Sequence, residues 1–227
     1  MMKVFIYWNR IDQDSKKIYK FLGSDSFRHI LEESNEVVFF EPYLSFSLTQ
    51  ERLNQISHSD IIIFFTHGEE DAILKSKYIQ INRKKSFSFI DFDNASLLSG
   101  KKVIAICCAS AKSLGQYCVT DQINSTFYVG FQDDIFYDDG SHEDVRGLVY
   151  DAYSDAFEKS ILYSLSSKCT AQEFVQFLQK KINDMITYKI LNETNDHTLG
   201  SLSSITFHRK SAQSLVALGK IASPIFS

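Results

Sequence analysis

The chain alternates short, continuous apolar runs with longer segments in which apolar residues recur every three or four positions. Continuous apolar runs bounded by polar residues are typical of buried strands in a parallel sheet. Five runs predict strands at Lys3–Trp8, Glu36–Phe40, Asp60–Phe65, Lys102–Ile106 and Thr126–Phe131. The intervening patterns predict helices at Asp14–Leu22 with a continuation through Phe27 to Glu33, at Thr49–Ile56, and at Ala109–Cys118. This alternating order favours an α/β fold with a mostly parallel sheet and helices on both faces.

The alternation is interrupted after the third predicted strand. Ala72–Ile81 and Phe87–Phe92 are two strand-like pieces separated by the basic turn Asn82–Lys85, so they predict a hairpin inserted there. Asn94–Leu98 is a short helical or turn segment before the fourth strand.

The C-terminal third is predicted to be mainly helical. Ser141 with Asp144, and Thr170 with Glu173, have the spacing of helix-capping boxes and each precede an amphipathic stripe. Ser204–His208, with Leu215–Leu218 as a further candidate, is predicted to supply a last edge strand. With only two prolines and no linker-like stretch, residues 1–227 are predicted to form a single domain.

Composition and charge narrow the classes of function. The formal net charge of −4 with mixed signs provides no basic patch, which argues against direct nucleic-acid binding and favours protein or peptide partners. No apolar run approaches the roughly 18 residues of a membrane span, and the start has no signal-peptide pattern, so we expect a cytoplasmic protein with no membrane span.

The cysteines and histidines show no spacing typical of a disulfide framework or a metal site. The four cysteines are expected to be free thiols, and the absence of CxxC and HxxxH pairs argues against a structural zinc site. No cofactor is expected. Five histidines are interpreted as surface or structural residues: His29, His58, His142, His197 and His208.

The chemically informative residues are His67 and Cys108, each of which ends an apolar run and which lie 108 − 67 = 41 positions apart. The carboxyl ends of parallel strands meet at one edge of a sheet, where sites are commonly built. Placed together there, Cys108 can act as a nucleophile and His67 as its general acid and base. The predicted helix after Cys108 would stabilise the thiolate, and the backbone amides of Gly68 and Cys108 are candidates for an oxyanion hole.

The alternative interpretation is that these residues only pack. Cysteine is among the most buried residue types, and a His-Gly pair after a strand is usually a turn. Their joint placement at two strand ends of one sheet favours the catalytic interpretation. Adjacent residues of a strand point to opposite faces, so Cys107 is expected to be buried and to face away from His67.

A hydrophobic strand ending in His-Gly, followed by one ending in a small residue, Cys, any residue and Ser or a small residue, resembles the caspase-like cysteine peptidases, particularly the CHAT group. Phe65–Gly68 matches the histidine element and Val103–Ala111 matches the cysteine element. Two departures are Cys107 in place of the usual alanine and Ala111 in place of a common glycine. The resemblance implies a caspase-like three-layer α/β/α sandwich with a hairpin after the histidine strand. It also implies a cysteine endopeptidase directed by a sensor or adaptor protein, frequently in bacterial defence or cell death.

In that family the loop after the fifth strand helps to form the pocket for the side chain before the cut bond. The resemblance therefore makes Asp133 and Asp134 candidate substrate-binding residues that favour Arg or Lys, and a solvated acidic loop is an equally weighted alternative. A weaker acidic candidate is the segment Glu69–Asp71.

Two other functions remain open. The chain could be an inactive caspase-like scaffold, although intact His67 and Cys108 argue against this. It could also be a TIR-type nucleotide hydrolase or signalling domain, since its opening strand and helix resemble that class, but TIR chemistry does not explain the two strand ends.

Overall fold

The computed structural model describes residues 1–10, 13–40, 55–74, 88–135, 143–193 and 199–226. Its strands are β1 (Met2–Trp8), β2 (Asn35–Phe40), β3 (Ile61–Phe65), β4 (Gly68–Glu69), β5 (Ala72–Leu74), β6 (Ser88–Asp91), β7 (Lys102–Ile106), β8 (Phe127–Phe131) and β9 (Leu215–Gly219). Its α-helices are α1 (Gln13–Ile18), α2 (Asp25–Glu32), α3 (Leu114–Cys118), α4 (Glu143–Ser167), α5 (Ala171–Glu193) and α6 (Leu199–Gln213). Short 3-10 helices occupy Lys20–Gly23 and Ala95–Leu98.

Six strands form the central sheet in the order β2-β1-β3-β7-β8-β9. Each pair of neighbours is parallel except β8 and β9, which are antiparallel. All five predicted core strands are present, with bounds that differ by at most one residue. The prediction of an α/β fold with a mostly parallel sheet is confirmed.

The two faces of the sheet pack into separate hydrophobic cores because the side chains of each strand alternate in direction. Ile63, Phe65 and Ile106 belong to one core, which is covered by α1, α2, α4, α5 and α6. Phe64 and Ala105 belong to the other, which is covered by α3, the 3-10 helix at Ala95–Leu98 and the small β-sheet described next. Since β3 and residues 103–106 of β7 are buried on both faces, they are uninterrupted apolar runs.

The insertion after β3 is a small antiparallel sheet in the order β4-β5-β6. It confirms the predicted hairpin for Ala72–Leu74 and Ser88–Asp91, whereas the predicted basic turn Asn82–Lys85 lies outside the described residues. The Thr66 hydroxyl donates to the Leu74 carbonyl (2.8 Å), and the Leu74 amide donates to the His67 carbonyl (2.9 Å). These bonds fix the direction in which the chain leaves β3.

The helical predictions are confirmed in part. The first predicted helix is divided into α1, a 3-10 turn and α2. At the start of α5, Glu173 accepts from the Thr170 amide (2.8 Å), and the Glu173 amide donates to the Thr170 hydroxyl (3.2 Å), so the predicted capping box is present. Residues 55–57 are helical, while residues 49–54 and Ser141 lie outside the described part.

The prediction of a strand at Ser204–His208 is wrong. These residues lie within α6, whose buried residues Ile205, His208 and Ala212 recur at helical spacing. The edge strand is β9, and His208 is a buried residue whose Nδ1 lies 3.1 Å from the Tyr153 hydroxyl. In the described part of the chain, no helix is sufficiently long and apolar to cross a bilayer.

Candidate active site

The pairing of β3 with β7 bears on the positions of His67 and Cys108. Phe65 of β3 pairs with Ile106 of β7, where both strands end, and His67 and Cys108 each lie two residues further along the chain. The alternation of side chains puts both on the face of Phe65 and Ile106, and Cys108 packs against that core. Neighbouring strands lie about 4.8 Å apart, so side chains at opposite positions on one face of a sheet can reach each other. Both residues therefore leave the sheet at its carboxyl edge, and the meeting of their side chains stays a prediction.

Backbone groups of the segment that follows β8 contact Cys108 and its neighbour. The Ile135 amide donates to the Cys108 Sγ over 3.3 Å, and the Sγ lies 3.7 Å from the Ile135 carbonyl. The Ala109 amide donates to the Asp133 carbonyl over 3.0 Å. A thiolate at Cys108 thus has an N–H donor that stabilises the charged form, while the Ile135 carbonyl accepts from the thiol and favours the neutral form.

The prediction that a helix begins directly after Cys108 is wrong about where the helix starts. Residues 108–113 form turns, Ala109 has a φ of 50°, and α3 begins only at Leu114. The left-handed backbone at Ala109 interrupts any helix there, because it reverses the sign of φ. The expected stabilisation of the thiolate by a helix terminus is therefore replaced by the Ile135 amide.

His67 contacts the helical segment that follows β1. The Ser15 hydroxyl oxygen and the His67 Nε2 are 3.3 Å apart, and Ser15 itself is only 3% exposed. One helical turn later, the buried Tyr19 hydroxyl donates to the Ile106 carbonyl (2.9 Å) and lies 3.4 Å from the Thr66 carbonyl. This segment therefore holds the His67 ring and ties together the strand ends that carry His67 and Cys108.

A second connection joins the two strand ends on the other side of the sheet. A Cβ placed on Gly68 would lie 2.4 Å from the Cys108 carbonyl oxygen and 3.2 Å from the Cys107 Sγ, so only glycine permits this approach. The Glu70 carbonyl accepts from the Leu114 amide (2.8 Å), and its side chain pairs with Lys112. Gly68 is thus a packing residue between the two elements, and the oxyanion role of its amide and that of Cys108 stays a prediction.

Cys107 is buried and faces the second core, as expected from the alternation of side chains. Burial raises the pKa of its thiol to about 12, against the smaller opposing effect of a hydrogen bond with Ser110. At neutral pH this thiol is protonated and shielded, so Cys108 is the nucleophile candidate of the pair.

Asp133 and Asp134 lie next to Cys108 but have exposed side chains. The pKa of Lys112 is raised mainly by its hydrogen bond with Glu70, and the negative charges of Asp133 and Asp134 raise it further. Arg10 follows β1 at the same edge of the sheet, and its guanidinium lies 4.6 Å over the Trp8 ring.

The sequence interpretation missed Ser15, Tyr19 and Ile135. Ser15, Ile18 and Tyr19 share a buried helical face at spacings of three and four, which was a visible signal that this face touches the core. The contact of Ile135 depends on how the chain turns after β8, for which the sequence carried no local pattern.

A cavity of about 820 Å³ lies at the opposite, amino edge of the sheet, with Met2, Asn35, Leu162 and Phe226 in its lining. It is therefore separate from the site at His67 and Cys108. Among the described residues, no group of three or more His, Cys, Asp or Glu side chains is arranged to hold a metal ion.

No known family model matches this chain, and no curated protein matches its sequence.

Proposed function

We propose that this protein is a caspase-like cysteine endopeptidase of the CHAT type, with Cys108 as nucleophile and His67 as general acid and base. The observation that carries the proposal is the in-register pairing of Phe65 with Ile106, since His67 and Cys108 each follow by two residues at the carboxyl edge of the sheet. The Ile135 amide, 3.3 Å from the Cys108 Sγ, supports the choice of nucleophile because it stabilises a thiolate.

The chemistry follows from those roles. His67 takes the proton of Cys108, and the thiolate attacks the carbonyl carbon of the substrate peptide bond. The amides of Gly68 and Cys108 are proposed to stabilise the resulting oxyanion. His67 returns the proton to the leaving amine as the C–N bond breaks, and water then hydrolyses the thioester to release the acid and regenerate the thiol.

The substrate preference is proposed to be for Arg or Lys before the cut bond, through Asp133 or Asp134. Their position beside the Cys108 loop supports this, and their exposure makes the expected preference modest because water screens exposed charges. The nearby Arg10 predicts the opposite preference, for an acidic residue, if it rather than the aspartates contacts the substrate.

The setting of the enzyme is proposed on family resemblance. Related peptidases are directed by a sensor or adaptor, frequently in bacterial defence or cell death, and we propose such a partner and a cytoplasmic location for this chain. A protein or peptide is the proposed substrate, without a cofactor or direct contact with nucleic acid.

The test is labelling by a panel of peptidyl acyloxymethyl ketones, combined with cleavage of a peptide library. Cys108→Ala is expected to abolish labelling and cleavage, and Cys107→Ala, its matched control one residue away, to retain most of both. His67→Ala is expected to lower turnover by about two to four orders of magnitude while peptide binding persists. Labelling at Cys107, or unchanged turnover without His67, would contradict the assignment and favour the scaffold interpretation.

A further inference from the structure

We infer that Ser15 is a positioning residue for the His67 imidazole, holding its Nε2 so that the Nδ1 exchanges a proton with Cys108. This inference rests on the proposed function, because it assigns the third member of that catalytic apparatus. The 3.3 Å separation between the Ser15 Oγ and the His67 Nε2 carries it. The inference assigns the proton exchange with Cys108 to the other ring nitrogen, Nδ1.

The protonation states follow from this arrangement. For Nδ1 to accept the Cys108 proton, the neutral ring must carry its own proton on Nε2, and that N–H donates to the Ser15 hydroxyl oxygen. When the thiol proton moves to Nδ1, the ring becomes an imidazolium and the same Nε2–H donates more strongly. Ser15 thus stabilises the thiolate–imidazolium pair without adding a charge of its own.

Ser15 is suited to this role because its segment is fixed from several sides. Asp14, the preceding residue, accepts a hydrogen bond of 2.8 Å from the Tyr150 hydroxyl of α4. Lys17 lies 5.5 Å over the same tyrosine ring, and Lys20 pairs with Asp151. A hydroxyl held by anchored neighbours orients a catalytic group better than one on a mobile chain, because its position is set before the reaction.

The experiment measures the rate at which iodoacetamide alkylates Cys108 as a function of pH, with the labelled peptide identified by mass spectrometry. Ser15→Ala is expected to slow alkylation at neutral pH by about tenfold or more, the loss typical of one hydrogen bond to a charged group. It should also move the pH range in which alkylation rises to higher pH, since the ion pair loses the stabilisation of its imidazolium and the thiolate then forms mainly by ionisation of the thiol itself. Ser15→Thr keeps the hydroxyl and should restore the alkylation rate to within about threefold of the wild-type rate.

Ser160→Ala is the matched control, because Ser160 is also a fully buried helical serine but hydrogen-bonds to the Ala156 carbonyl of its own helix. It should leave the pH range unchanged. A Ser15→Ala profile identical to that of the wild type overturns the inference. A slower rate with an unchanged pH range and no rescue by threonine also overturns it, because loss of packing alone has that effect.

Nitrogen NMR of His67 in the wild-type protein provides a test that needs no variant to fold. Its neutral ring should carry the proton on Nε2, and a proton on Nδ1 overturns the inference. These readouts do not require peptide cleavage, so the two proposals can fail separately. If no peptide is cut but Ser15 controls alkylation, the endopeptidase proposal fails, and if peptides are cut with Ser15→Ala unaffected, only the role of Ser15 fails.

Discussion

Gly68→Ala is expected to separate the two strand ends that carry the candidate catalytic pair. The new Cβ would lie 2.4 Å from the Cys108 carbonyl oxygen, whereas ordinary contacts begin near 3.4 Å, so the two segments must part by about 1 Å. The oxygen belongs to the backbone and cannot rotate away as a side chain does. A misplacement of about 1 Å can lower catalysis by about a hundredfold, and overpacking of this kind costs about 1 to 3 kcal/mol of stability.

The assay is the rate of Cys108 alkylation, together with urea unfolding followed by circular dichroism. Gly147→Ala is the matched control, because Gly147 lies in α4 with nothing within 4 Å of its added Cβ. That control should be stabilised by about 0.5 to 1 kcal/mol and should keep full reactivity. A Gly68→Ala protein with the stability and the Cys108 reactivity of the wild type would refute the close approach of these strand ends.

Three further expectations concern single side chains around the site. Tyr19→Phe should lower the free energy of unfolding in urea by about 1 to 3 kcal/mol, because carbonyls at the ends of β3 and β7 lose a buried donor, and an unchanged value would contradict this. Asp133→Asn or Asp134→Asn should reduce a preference for Arg or Lys in a peptide library by only about twofold to fivefold, the range for screened surface charges. A wild type that prefers apolar or acidic residues would remove both aspartates from the site. Because burial raises the pKa of the Cys107 thiol to about 12, iodoacetamide at pH 8 should label Cys108 and not Cys107 in the folded protein. Above about pH 8.5 the Cys107 thiol ionises in the unfolded chain but not in the folded protein, so the free energy of unfolding should fall as pH rises. A free energy of unfolding that does not change with pH there would argue against a buried Cys107.

Local sequence patterns predicted the sheet because burial of a strand directly determines which residues it can contain. Strands buried on both faces must be continuously apolar, so β3 and β7 could be located to within one residue. The capping box at Thr170 was equally readable, since both of its partners lie within one turn. Ser204–His208 was misjudged as a strand because five residues are too few to separate a helical period from an alternating one.

The sequence by itself determined the class of fold, the two strands that His67 and Cys108 follow, and the opposite orientations of Cys107 and Cys108, because each depends on chain neighbours alone. Only the tertiary structure decided what surrounds those side chains. The Ile135 amide at the Cys108 Sγ, and Ser15 at the His67 Nε2, come from segments 27 and 52 residues away. Such contacts are set by how the elements pack and how the chain turns between them, and no periodicity of apolar residues encodes the direction of a single hydrogen bond.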